Sequence, residues 1–159
     1  MVWLVVFSML FLGGGCVQQE IATKDVGNST FFYQQMDMDE VVSYFVASLH
    51  KADICQGKKL YRFDKMHNET YEHIDTKAFV KQFVSMLEES GKCHFLGAEE
   101  ESADAVFYGN ISAIYQKNMV EKDMYYIFRL YLIDTKTGVL LWSDTKEIRK
   151  RASRALIGW

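Results

Sequence analysis

Asn68–Gly91, NETYEHIDTKAFVKQFVSMLEESG, decides the fold, because it joins a dense polar run to a sharply bounded amphipathic helix. Asp75 or Thr76 offers an N-cap oxygen to the first backbone N–H groups, and Gly91 suits the left-handed conformation that ends a helix. Between them Phe79, Val80, Phe83, Val84 and Leu87 recur at spacings of one, three and four, which is one broad helical face. Lys77, Lys81, Gln82, Ser85 and Glu88 fall on the other face, so this helix covers a core on one side only. From Asn68 to Ile74 most side chains favour bonds to their own backbone, which predicts a loop, carrying Glu72 and His73, that leads into the helix.

Working outward, Asp37-Met38-Asp39-Glu40 opens a second helix running to about Lys51. Val41, Val42, Phe45 and Leu49 lie on one face, and the acidic residues sit at the positive end of the helix dipole. A loop with Cys55 and Gly57 follows, and the alternation from Leu60 to Lys65 reads as a strand. Beyond Gly91, Cys93 to Leu96 is a short strand and the acidic run at 99–102 a loop. The last third holds the strongest strand signals: Ala105–Tyr115, Met124–Ile133 and Gly138–Asp144. Thr135-Lys136-Thr137-Gly138 fits a hairpin with Gly at a positive φ. The predicted class is α+β, a small mixed or antiparallel sheet of four or five strands with two main helices on one face.

The composition is that of an ordinary core-building domain: 49% hydrophobic and 25% charged over 159 residues. A net charge of −3 gives no global reason to expect nucleic acid. The sequence contains no Gly-rich phosphate loop, paired-Cys zinc spacing or G-x-S-x-G elbow, so no cofactor, metal, small-molecule substrate or catalytic residue is assigned.

Val2 to Leu12 is a mainly apolar run of 11 residues followed by three glycines and Cys16. A bilayer-spanning helix needs about 20 residues, whereas this length suits the apolar region of an export signal. A Cys directly after small residues resembles a bacterial lipobox, with Gly13 where Leu is usual. The expectation is a signal at residues 1–15, lipidation of Cys16 and a flexible linker over 16–36, leaving one domain at 37–159. A soluble periplasmic protein and an uncleaved anchor are the alternatives. A fully extended linker of about 20 residues reaches about 65 Å, so the domain stays near its membrane.

NETYEHIDT, YGNISAI, YYIFRLYLIDTKTG and LWSDTKEIRK stand together in that order, and the set resembles the LpoB family of penicillin-binding-protein activator lipoproteins. The resemblance covers roughly Asp37 to Lys150 and rests most on the EHIDT loop and the D-x-x-T-G-x-x-x-W hairpin. It implies a fold similar to the N-terminal domain of TolB. It also implies a non-enzymatic role: an outer-membrane lipoprotein, anchored on the periplasmic face, that binds and stimulates a bifunctional, class A penicillin-binding protein. The alternative is a structural or export-apparatus lipoprotein, since the same small fold is similar to that of CsgG-type secretion proteins.

Each candidate site also has a plainer explanation. Glu72 and His73, beside Asp75, lack a convergent nucleophile or third ligand, which leaves helix capping and surface recognition. Cys55 and Cys93 are a disulfide in an oxidising compartment or two buried thiols. In the Met124–Ile133 strand, Tyr126, Phe128, Leu130 and Leu132 belong under the helices. Tyr125, Arg129 and Tyr131 lie on the other face, as a partner-binding stripe or an ordinary half-exposed sheet surface. The tail Lys146–Arg154 carries +4 and leaves the remainder of the chain at −7. It reads as a solvated, partly disordered end, or a contact for anionic lipid or an acidic partner.

Overall fold

The computed structural model describes residues 32–55, 58–97, 102–119 and 121–153. The elements in chain order are α1 (Gln35–Ala52), β1 (Leu60–Asn68), α2 (Thr76–Glu89), β2 (His94–Phe95), β3 (Ala105–Lys117), β4 (Glu121–Asp134) and β5 (Leu140–Ser153). The strands form one sheet in the order β2-β1-β3-β4-β5. β1 is parallel to both β2 and β3, while β3, β4 and β5 are successively antiparallel. This is the α+β class with a mixed sheet, and both helices lie on one face.

The deciding stretch folds as its chemistry dictates. Asp75 caps α2, its Oδ1 accepting from the Ala78 N–H at 2.9 Å, and Gly91 takes φ +68° just past the end. Phe79, Phe83 and Leu87 are completely buried, whereas Val80 and Val84 are only half-buried. The single apolar face read from the sequence is therefore two stripes, a core stripe and a flanking one. Phe79 stacks on Phe128 of β4, and Phe83 meets Phe63 and Phe107 edge-on, so the helix is fixed to the sheet by rings. From the other helix, Phe45 meets Trp142 of β5 edge-on.

Two glycines have specific tasks. A Cβ on Gly109 of β3 would stand 2.3 Å from Met66 Sδ, 2.5 Å from Leu130 Cδ2 and 3.1 Å from the Arg129 carbonyl, so the glycine lets the Met66 and Leu130 side chains pack directly over the β3 backbone. Gly138, at φ +70°, turns the β4–β5 hairpin. There Asp134 Oδ1 accepts from the backbone N–H groups of Lys136 and Thr137 and from the Thr137 hydroxyl. Those bonds hold the Asp134 carboxyl below the usual carboxylate range, Thr137 contributing most.

Several boundaries differ from the sequence reading. α1 begins at Gln35, inside the stretch read as linker, with Asp37 Oδ2 accepting from the Gln34 N–H at 2.7 Å. β1 runs to Asn68, past the expected end at Lys65, because a bulge at Asp64 shifts the alternation while β3 keeps pairing.

The largest correction concerns the basic tail. The last strand does not stop at Asp144; it pairs with β4 as far as Ser153, and residues 146–153 are not a loose end. Period-two alternation sorts the charges. Lys146 and Lys150 face α1, where they pair with Glu40 at 2.7 Å and Asp37 at 2.5 Å. Arg149 and Arg151 face the other way and converge on the buried Asp123, with Arg151 also bonding Glu121. Ile148, between Lys146 and Lys150 on the helix side, is buried in the core. The export signal, Cys16, most of the linker, Gly57, residues 99–101 and Arg154 lie outside the described residues.

Candidate functional site: the uncovered sheet face

Because side chains alternate along a strand, the face opposite the helices is defined by the residues between the core positions. In β4 the core positions are Tyr126, Phe128, Leu130 and Leu132, all fully buried. Tyr125, Arg129 and Tyr131 therefore project from the opposite face, and each is half-exposed. Register aligns them with β3: Tyr131 opposite Tyr108, Arg129 opposite Asn110, and Tyr125 opposite Ile114. Tyr108 and Ile114 are 36% and 48% exposed, so the face carries aromatic and aliphatic surface open to solvent.

Arg129 is aimed by a hydrogen bond from its Nη1 to Ser112 Oγ at 3.3 Å. Arg149 lies over the Tyr125 ring at 5.3 Å while its Nη2 holds Asp123 at 2.7 Å. The arrangement is a tyrosine-rich, arginine-bearing patch on a rigid sheet. Tyr and Arg at such density supply apolar area, hydrogen bonds and charge-assisted contacts, which is the chemistry of a protein interface.

The other sequence candidates sit elsewhere. Glu72 points inward, its Oε2 accepting from the Tyr33 N–H at 3.2 Å and its Oε1 from the Tyr126 hydroxyl. Burial first, and then this carboxylate, push the Tyr126 phenol above its ordinary range, so it stays a neutral donor. Glu72 thus ties the loop before α2 to both the approach to α1 and the floor of the core. His73 is exposed beside it, away from Tyr125, Arg129 and Tyr131. Cys55 and Cys93 form a disulfide that joins the first half of the α1–β1 loop to the residue just before β2. Sequence reasoning missed Tyr108 and Ile114. Their signal was present, since Tyr108, Asn110, Ser112 and Ile114 alternate with Phe107, Gly109 and Ile111.

Among the described residues, this small α+β domain has helices over one sheet face and, on the other, surface chemistry suited to contact with another protein. A sequence description of the family Peptidoglycan-synthase activator LpoB matches residues 28–105 and 96–148, and the chain belongs to that family. It is a family of activators rather than catalysts. Among solved structures, the LpoB C-terminal domain from Escherichia coli is similar in fold at TM-score 0.54 and 14% identity, over 70% of this chain and 98% of that one. The LpoB C-terminal domain from Salmonella enterica gives TM-score 0.52 and 15% identity over the same shares. No curated protein matches the chain.

Proposed function

We propose that this protein is a lipid-anchored periplasmic adaptor that binds a class A penicillin-binding protein and stimulates its glycan polymerisation and cross-linking. The family match across residues 28–148 is the observation that carries the reading. Cys16 provides the lipid attachment, and the anchor sits on the periplasmic face of the outer membrane. The domain itself performs no chemistry. It acts by binding the active conformation of the synthase more tightly than the inactive one, which is how a partner shifts a conformational equilibrium.

The uncovered face is the docking surface in this reading. Tyr108, Tyr125 and Tyr131 lose little conformational entropy on binding, and Arg129 offers a guanidinium already oriented by Ser112. Capture of a class A penicillin-binding protein by immobilised residues 17–159, and loss of that capture with Tyr131→Ala, is the expected result. Recovery of the chain alone, as rings or polymers, would instead identify an assembly-forming lipoprotein. The anchor is tested separately by palmitate labelling: Cys16→Ala abolishes incorporation if Cys16 is the attachment point, and unchanged labelling rejects it.

A further inference from the structure

On the helix side of the sheet, β1 has an edge that no strand completes among the described residues. β2 pairs with it only at Leu60 and Tyr61, and Leu96 then donates its N–H to the Tyr61 carbonyl at 2.8 Å as the chain turns away. From Phe63 to Asn68 the strand pairing of β1 among the described residues is with β3 alone, on its inner side. Backbone groups along such an edge need water or another strand.

Beside this edge runs the flanking stripe of α2. Val80 and Val84, with Phe63, Met66 and Phe95, line a groove of about 700 Å³. That volume lies within the range of binding clefts, roughly 300–1,000 Å³. Lys65, Lys77 and Lys81 stand on its rim against Asp64 and Glu88. None of these three lysines joins an ion pair among the described residues, whereas Lys146 and Lys150 of β5 are each matched to an acid on α1.

We propose that this slot receives an extended acidic segment of a partner protein, added to the sheet as a strand alongside β1. A strand in this position hydrogen-bonds through its backbone and drops alternate apolar side chains onto Val80, Val84 and Phe95, with its carboxylates near the lysine rim. Six residues of β1, Phe63 to Asn68, are available, about 20 Å at roughly 3.3 Å per residue. The bulge between Phe63 and Lys65 and the charge at Lys65 disfavour pairing with a second copy of the same long edge. The proposal does not rest on the synthase reading, which uses the opposite face of the sheet.

The full chain would be titrated with a fluorescent heptapeptide alternating glutamate and valine, and with its lysine–valine counterpart. The glutamate peptide is expected to bind, and the lysine peptide is not. The double variant Lys77→Glu and Lys81→Glu, at exposed helix positions, should weaken binding at least about tenfold while leaving the circular dichroism unchanged. Methylating alternate backbone nitrogens of the peptide should abolish binding, since strand addition needs those N–H groups. Equal binding of both peptides, indifference to the charge reversal, or indifference to N-methylation would each overturn the proposal. So would a dimer in sedimentation that Val84→Asp dissolves and the glutamate peptide does not displace, because a second copy would then own the groove.

Discussion

Gly109 shows most directly how one residue sets the fold. A methyl at Gly109 would force the buried Met66 and Leu130 side-chain ends to shift and would crowd the Arg129 carbonyl, so Gly109→Ala should destabilise the protein by about 1–3 kcal/mol, the usual effect of overpacking. A lower urea midpoint at unchanged slope is the expected observation. Glu72 works in the opposite sense, by filling rather than leaving room. Glu72→Ala removes the acceptor for the buried Tyr126 hydroxyl and should cost about 1–3 kcal/mol by the same measurement. Asp134 adds a pH dependence. Its folded-state affinity for a proton is lowered by the Thr137 and Lys136 donors, so its contribution is full above the ordinary carboxylate value of about 3.9 and is lost as pH falls through the lower folded value. Asp134→Ala should therefore lower Tm at neutral pH, with the gap to the parent protein narrowing in acid.

Among the elements, β5 is where the sequence hid most. The α2 helix, the Asp75 cap, Gly91, the β4–β5 turn and the buried set of β4 were all legible, because each rests on local backbone chemistry or on a period that one face imposes. The second half of β5 was not. Both of its faces carry charge, so hydrophobic alternation vanishes even though the alternation of partners is complete: lysines to α1, arginines to Asp123. The partners lie far away in sequence, and nothing in KEIRKRASR announces them. On the face opposite the helices, period two placed Tyr125, Arg129 and Tyr131 in β4; the same period in β3 holds Tyr108 and Ile114, but only the register shows that they stand beside those residues. The disulfide acts at the same scale. It closes a loop with a sequence separation of 38, so Cys55→Ser with Cys93→Ser should lose about 2–4 kcal/mol against chemical denaturant, and reduction of the parent protein should reproduce that loss.

The whole molecule presents two different surfaces from one sheet. Its helix side holds the core and ends in the lysine-rimmed groove beside β1, while the uncovered side is an aromatic plane buttressed by the Asp123 cluster. Family membership makes the molecule an activator of peptidoglycan synthases, and the uncovered plane is the surface we assign to the synthase. Rigid strands suit that use, because a tyrosine held by the sheet keeps most of its binding energy. The most direct test is the rate of glycan polymerisation by a purified class A penicillin-binding protein with and without this protein. The parent protein should raise that rate, and Tyr131→Ala combined with Arg129→Ala should weaken the half-maximal concentration by about tenfold or more while leaving the fold intact. No stimulation by the parent protein, or full stimulation by the double variant, would contradict the account.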